Sequence, residues 1–178
     1  AATPVKRIHV SDKGRFGFSH IDATEQQVEA LGYVVINRVL GAVLQQALDT
    51  VPGLDIICPA TISSTRLGPD EATVTVQHAD GRQEVLTSRL LVAADGARSS
   101  VREMLGISAK HVDYGQRAIV GNLLPEKSPD HCAFERFTQH GPLALLPVAD
   151  GRAGFVWTVA DDDAERILAL DDAAFLAE

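Results

Sequence analysis

Two hydrophobic periodicities alternate along this chain and predict a mixed α/β fold. Over residues 72–78, Val74 and Val76 are separated by polar side chains, which is typical of a strand with one face in contact with water. Over residues 40–48, apolar side chains recur at intervals of three and four, which predicts an amphipathic helix ending before Pro52 and Gly53. The chain therefore combines sheets with helices.

The remaining predicted elements follow from the same patterns and from turn residues. Residues 5–10 and 15–19 form a predicted hairpin, and its strands are expected to join a second sheet near residues 110–160. Single strands are predicted at 33–36, 54–58 and 90–94, a meander at 61–67, 72–78 and 84–87, and an antiparallel sheet at 118–124, 132–137, 143–147 and 154–159. Helices are predicted at 24–31, from Ser100 to about residue 105, and from Asp161 onward.

The junction at residues 90–102 has the most informative local sequence. A buried strand at 90–94 is expected to open through Asp95 and Gly96 into a helix. Parallel strands that end at a helix N-terminus are where α/β proteins hold nucleotides, and glycine allows close backbone approach. Ser100 with Glu103 matches a capping box, and Ser99 is a rival N-cap. Because such turns are also common in ordinary folds, the motif needs wider support.

Composition narrows the function classes. The 178 residues are 46% hydrophobic and carry a net charge of −8, which disfavours a nucleic-acid partner and an electrostatic anchor on anionic lipid. Cys58 and Cys132 show no metal-ligand spacing and are expected to be reduced, buried thiols. Nothing in the sequence indicates a disulfide between them. We assign no metal site and no side chain as catalytic acid or base.

Three stretches carry a family resemblance. Residues 91–102 (LVAADGARSSVR) resemble the DG fingerprint of the flavin aromatic hydroxylases of the para-hydroxybenzoate hydroxylase family. Residues 32–40 and 133–147 are similar to the ubiquinone-pathway branch of that family. The resemblance implies a remnant of a three-layer FAD-binding domain with an antiparallel substrate-side sheet. It also implies FAD and NAD(P)H as cofactors and O₂-dependent hydroxylation of a prenylated phenol.

Individual residues acquire roles from this resemblance. Asp95 and Gly96 match the motif that contacts the FAD diphosphate region, and Arg38 matches an arginine that holds the diphosphate. An exposed surface arginine is the alternative for Arg38. The substrate-pocket candidates on the sheet are Phe134, Phe137, Pro142, Leu143 and Leu145, and ordinary core packing is the alternative for each. Phe134 and Phe137 are three apart, so a regular strand directs them to opposite faces.

The resemblance also predicts a domain division and an incomplete site. Residues 30–106 are assigned to the FAD/NAD(P)-binding part, and residues 1–29 and 107–178 to the substrate-binding sheet. The family's G-x-G-x-x-G and its later Gly-Asp motif have no counterpart here, so we expect a middle segment that is inactive in isolation. A sibling hydroxylase with another substrate, or a noncatalytic binding or assembly module, are the alternatives. The parent enzyme is expected in the cytoplasm, with peripheral contacts to the inner membrane face or to ubiquinone-pathway proteins.

Overall fold

The computed structural model describes residues 2–178, which fall into two compact units. The first, called here the sheet unit, runs to Thr50 and resumes at Asp113, and the second, the meander unit, is Val51–Val112. The functional division predicted at residues 30 and 106 stays a prediction. None of the helices within residues 2–178 has the length and apolar character needed to span a bilayer.

A six-stranded sheet is the main element of the sheet unit. Its strands are β2 (Arg7–Asp12), β3 (Phe18–Asp22), β8 (Gln116–Leu123), β9 (Cys132–Phe137), β10 (Leu143–Pro147) and β11 (Ala153–Ala160). Their order is β3-β2-β9-β10-β11-β8, with β2 parallel to β9 and the other pairs antiparallel. The four predicted antiparallel strands are confirmed, and so is the expectation that the first hairpin joins them.

Two short helices, α3 (Asp161–Leu168) and α4 (Asp172–Ala177), follow β11. The α3 side chains Ala164 and Ile167 pack with Ile119 and Val159 into a buried cluster, against which Phe175 of α4 also packs. Ile167 and Val159 are each 2% exposed. Because this cluster joins sheet and helices, it sets the position of α3 against β8 and β11.

The sheet unit also contains a two-stranded sheet and one longer helix. Strands β1 (Ala2–Val5) and β4 (Gly32–Val35) pair antiparallel, and helix α1 (Asn37–Leu48) begins two residues after β4. The predicted helix is confirmed, although none of its residues is buried. Most of its apolar side chains, including Leu40, Val43 and Leu44, are exposed.

The meander unit contains the predicted three-stranded sheet, in the order β5-β6-β7. These strands are β5 (Ala60–Leu67), β6 (Ala72–His78) and β7 (Gln83–Ser88), and a five-residue helix α2 (Ser100–Met104) follows. Ala72, Val74 and Val76 are buried, as the alternation along β6 predicts. The mixed α/β class is confirmed.

Three predicted elements are wrong. Residues 24–31 form turns instead of a helix, and Gln27 takes a φ of 57°. A residue in this left-handed conformation interrupts a right-handed helix in the middle of the segment. Residues 54–58 and 90–94 are irregular and mostly exposed, because no strand among residues 2–178 pairs with them and an unpaired strand has no ladder of hydrogen bonds. Cys58 lies on the first of these segments and is an exposed thiol, not a buried one.

Candidate functional site

The DG turn, defined here as residues 95–99, is organised by one carboxylate. Asp95 accepts a hydrogen bond from the Ser99 hydroxyl at 2.5 Å and from the Val101 N–H at 3.2 Å. A longer bond from the Ser100 hydroxyl measures 3.4 Å. The hydrogen bond from Ser99, followed by that from the Val101 N–H, lowers the pKa of Asp95 below its ordinary value. The carboxylate therefore stays ionised at neutral pH and ties the turn to the start of α2.

Ser99, not Ser100, is the N-cap of α2. Its hydroxyl oxygen accepts a hydrogen bond from the Arg102 N–H at 3.0 Å, and the residue is 6% exposed. Since the same hydroxyl donates to Asp95, one serine links the turn and the helix. Of the two N-caps that the sequence allowed, Ser99 and Ser100, the structure therefore has Ser99.

Gly96 supplies an open backbone position next to Asp95. Its φ is +85°, a left-handed conformation that side chains other than glycine rarely adopt. Apart from Gly96 itself and its two chain neighbours, no heavy atom of residues 2–178 lies within 4 Å of the position that a Cβ would occupy. A ligand can therefore approach the backbone of the turn at this residue.

Arg38 lies in the first turn of α1, in the sheet unit. Its side chain is exposed and forms no hydrogen bond or ion pair with any residue in the range 2–178. A free guanidinium offers five donors in a planar fork that suits phosphate oxygens. The position is compatible with diphosphate binding and equally with an ordinary surface arginine.

A cavity of about 600 Å³ lies within the sheet unit, between the sheet and the helices α3 and α4. We call it the sheet–helix cavity. Its apolar lining includes Leu143, Leu145, Phe155, Trp157, Ile167 and Phe175. Two of the five pocket candidates, Leu143 and Leu145, therefore line a real cavity. This volume falls within the range typical of small-molecule sites.

The strand register explains why these side chains face the cavity together. Leu143 is opposite Arg136 on β9 and Trp157 on β11, so the three side chains form one row across the sheet. Leu145 is opposite Phe155 in the next row. Leu143 and Leu145 are two residues apart and share a face, as alternation along a strand requires.

The other three pocket candidates lie outside the lining of this cavity. Phe134 shares the face of Leu145 but packs against His9, with ring centroids 5.6 Å apart. Phe137 lies three residues along the strand and therefore on the opposite face. Pro142 accepts a hydrogen bond from the Thr158 N–H at 2.9 Å, next to a turn where a Cβ on Gly141 would meet the Thr158 carbonyl oxygen at 2.5 Å.

Polar residues that the sequence did not single out complete the cavity. Lys13, Arg136, Thr138 and His140 line it near the ends of β2 and β9, and Asp163, Arg166 and Glu178 line it on the helix side. The alternation of side chains along β9 could have placed Arg136 on the same face as the pocket candidate Phe134, because the two residues are two positions apart. No local pattern pointed to Lys13, which comes to the cavity through the parallel pairing of β2 with β9.

The acidic residues of the cavity are already paired. Arg166 lies 2.7 Å from the Glu178 carboxylate and 3.6 Å from that of Asp163. The hydrogen bond from Arg166 lowers the pKa of Glu178. By contrast, neither Lys13 nor Arg136 forms an ion pair within the described part of the chain, residues 2–178. The free charges at the cavity are therefore cationic.

Comparison with known proteins places this geometry in a family. The FAD binding domain model matches residues 14–172. The chain is 37% identical over 175 residues to ubiquinone hydroxylase UbiL of Rhodospirillum rubrum, covering 98% of this chain and 40% of that protein. It is 33% identical over 136 residues to 3-demethoxyubiquinol 3-hydroxylase of Escherichia coli, covering 76% of this chain and 34% of the relative.

A solved structure agrees on the fold. The p-nitrophenol 4-monooxygenase PnpA of Pseudomonas putida DLL-E4 superposes with a TM-score of 0.76 over 94% of this chain and 44% of that chain, at 14% identity. The chain therefore spans about two fifths of the length of these proteins. The family expected from the DG fingerprint and its two companion stretches is confirmed.

Proposed function

This chain belongs to the FAD binding domain family, and on that premise we propose that it is part of an FAD-dependent monooxygenase that hydroxylates a polyprenylated phenol. The observation that carries the proposal is the match of 98% of the chain to a ubiquinone hydroxylase. A 2-octaprenyl-6-methoxyphenol is the substrate that the sequence resemblance favours. In the overall reaction, phenol, O₂, NAD(P)H and a proton yield the hydroxylated ring, water and NAD(P)⁺.

The residues of the DG turn fit FAD binding. Gly96 leaves its backbone open to a close ligand, and Asp95 is committed to hydrogen bonds within the turn, so its role is to hold the turn in shape. Arg38 offers an uncommitted guanidinium for a diphosphate. FAD, when bound, supplies the redox chemistry that moves one oxygen atom from O₂ to the ring. The protein contributes binding, orientation and exclusion of water.

The substrate side of the proposal uses the sheet. Leu143 and Leu145 face an apolar cavity that suits an isoprenoid chain. Pro142 and at most one of Phe134 and Phe137 stay candidates for contacts to the ring, because the two phenylalanines lie on opposite faces of the sheet. For the parent enzyme we propose the cytoplasm, with peripheral contact to the membrane that holds its lipid-soluble substrate. The net charge of −8 is that of this chain, so membrane contact through these residues would depend on apolar surface.

A flavin titration tests the proposal directly. The whole protein that contains this chain is purified, titrated with FAD by visible absorption, and incubated with a prenylated phenol, O₂ and NADH or NADPH. We expect a flavin spectrum and a product heavier by one oxygen atom. Arg38→Ala should weaken FAD binding about tenfold to a hundredfold, since hydrogen bonds to charged groups contribute about 1.5–3 kcal/mol.

Arg152→Ala is the matched control, because this exposed arginine lies at the β10–β11 turn, and it should leave FAD affinity unchanged. The 178-residue chain alone should bind FAD weakly or not at all and turn nothing over. Flavin held tightly by the chain alone would contradict the split-site expectation. A whole protein without flavin would contradict the monooxygenase and favour a noncatalytic binding module.

A further inference from the structure

A pair of histidines continues the cavity face toward the edge of the six-stranded sheet. His9 on β2 is opposite Phe134 on β9, and His20 on the edge strand β3 is opposite His9. Phe134 is in turn opposite Leu145, which lines the sheet–helix cavity. Because residues opposite each other in neighbouring strands share a face, these four side chains form one row that leads from the cavity to the sheet edge.

The rings of this row and that of Phe18 form what we call the ring surface, made of His9, Phe18, His20 and Phe134. The His9 ring centroid lies 5.2 Å from that of Phe18 and 5.6 Å from that of Phe134. Phe18 is 69% exposed and Phe134 is 38% exposed, so both present ring surface to a ligand. Aromatic rings attract one another in offset or edge-to-face arrangements, so the ring surface suits a ligand with an aromatic ring.

The two histidines also form a hydrogen bond with each other. His9 Nδ1 lies 2.8 Å from His20 Nε2, so one of these nitrogens donates and the other accepts. A neutral imidazole has a single N–H. Of the two outer nitrogens, His9 Nε2 and His20 Nδ1, one is therefore a donor and the other an acceptor, and neither bonds another residue within 2–178. Such a pair is complementary to a neutral hydroxyl, which both donates and accepts.

We propose that the ring surface binds the phenol ring of the prenylated substrate, with the phenol hydroxyl hydrogen-bonded to His9 and the prenyl chain directed over Leu145 into the sheet–helix cavity. The inference rests on the proposed function for the class of substrate, and it names the residues that recognise the ring. Neighbouring strands are about 5 Å apart, so the row from Leu145 to His9 spans about 10 Å, enough for a phenol ring and the start of its chain. His20 is a positioning residue, because it acts through His9.

Trp157 reports binding without flavin or turnover. It is the only tryptophan of the chain and lines the cavity, so a prenyl chain in the cavity should change its fluorescence. The 178-residue chain is titrated with 2-farnesylphenol and, separately, with farnesylbenzene, which has the same ring and chain without the hydroxyl. The titrations are done at about pH 8, where ordinary imidazoles and phenols are both neutral.

His9→Phe keeps a ring in the ring surface and removes both ring nitrogens. It should weaken the binding of 2-farnesylphenol about three- to tenfold, the range for one neutral hydrogen bond, and leave that of farnesylbenzene unchanged. His20→Phe should have a smaller effect of the same kind, since it removes the partner that orients His9. His111→Phe, the matched control at an exposed histidine of the meander unit, should leave both affinities unchanged.

The imidazole nitrogens give a second measurement that needs no variant. In nitrogen NMR spectra of the wild-type chain, 2-farnesylphenol should shift the ring signals of His9 and His20 and leave those of His111 in place. Farnesylbenzene should shift the His9 and His20 signals less, because it forms no hydrogen bond with the pair.

Several results would overturn the proposal. An unchanged affinity for 2-farnesylphenol in His9→Phe, or an equal loss for both ligands, would refute recognition of the hydroxyl by His9. A Trp157 response without any shift of the His9 signals would place the phenol ring elsewhere. A chain that responds to neither ligand would refute the site. These measurements need no flavin, so their failure is distinguishable from failure of the proposed hydroxylation, which the flavin spectrum and product of the whole protein decide.

Discussion

The DG turn and the sheet–helix cavity are built in opposite ways. In the turn, Asp95 finds all three of its donors within the next six residues. In the cavity, Lys13, Arg136, Trp157 and Phe175 come from four distant parts of the chain. A site made by local hydrogen bonds is encoded in a short motif, whereas a site made by strand pairing is encoded in the whole sheet. The two regions should therefore respond differently to substitution.

The largest effect is expected in the helix that closes the cavity. Ile167→Ala removes a side chain that is 2% exposed and packs on Val159 and Ile119. It should lower the free energy of unfolding of the sheet unit by about 2–5 kcal/mol, through lost burial and a new void. Urea unfolding followed by Trp157 fluorescence measures it.

Leu168→Ala is the matched control one residue along the same helix, since Leu168 is 63% exposed. Its effect should stay within about 0.5 kcal/mol. If the two variants were equally stable, the cluster beneath α3 would not hold the unit together. The DG turn, measured by hydrogen exchange at Val101 and Arg102, should be unaffected by either variant, because it depends on local partners.

A second substitution tests the turn through its backbone alone. Gly96→Ala places a side chain on a residue with φ +85°, where a Cβ meets no neighbouring atom. The cost should be about 1–2 kcal/mol and come entirely from left-handed backbone strain. Faster amide exchange across residues 99–104 measures it. Gly32→Ala, at an equally open glycine without positive φ, should cost less, and an equal loss would argue against strain.

The helix cap should have a somewhat smaller effect. Ser99→Ala removes the acceptor of the Arg102 N–H and the principal donor to Asp95, which should cost about 1 kcal/mol. Amide exchange at Arg102 should accelerate about fivefold for that loss. Ser100→Ala removes only a bond of 3.4 Å and serves as the control. Equal effects of the two variants would show that the cap is shared between both serines.

The smallest expected effect is the acid response of the turn. The pKa of Asp95 is lower in the folded chain than its unfolded value of about 4. At pH values above about 4, the ionised carboxylate therefore contributes to the stability of the folded turn. This contribution is lost as the pH falls through the lower folded pKa. Amide exchange of α2 between pH 7 and pH 2.5, corrected for intrinsic rates, should therefore rise at the acid end.

Asp95→Asn should flatten that pH profile, whereas Asp70→Asn, in the turn between β5 and β6, should leave it unchanged. A wild-type profile that Asp95→Asn does not alter would mean that other carboxylates control the turn. Because Asp95 is accessible to solvent, salt should reduce the effect.

The strands that were predicted correctly share one property: each pairs with another strand of the chain. The meander of β5, β6 and β7 pairs with itself, and the hairpin β2–β3 finds β9. The predicted strands at 54–58 and 90–94 have the apolar composition of buried strands but pair with nothing among residues 2–178. Apolar composition indicates that a segment prefers to be buried, but a strand also needs a neighbouring strand with which to pair. The local sequence of a segment does not show whether that neighbour is there.

The residues of the candidate site also fall into two groups, those predicted from local sequence and those brought together only by the tertiary structure. Asp95, Gly96 and Arg38 were predicted from motifs that resemble those of the family, and Leu143 and Leu145 from the resemblance of residues 133–147 to its substrate-side sheet. No pattern in the sequence indicated that Lys13, Phe155 or Phe175 would lie beside Leu143 and Leu145. These residues meet Leu143 only because a parallel strand, an antiparallel strand and a short helix converge on one face.

By itself, the sequence determined the family, the DG turn, the helix α1 and most of the strands, because each depends on residues a few positions apart. It did not determine which serine caps α2, since both lie at plausible positions and the hydrogen bond from the Arg102 N–H to the Ser99 hydroxyl distinguishes them. The tertiary structure alone decided the cavity and its cationic end. Strand order and register bring distant side chains onto one face, and those long-range pairings are not written in any single stretch of the chain.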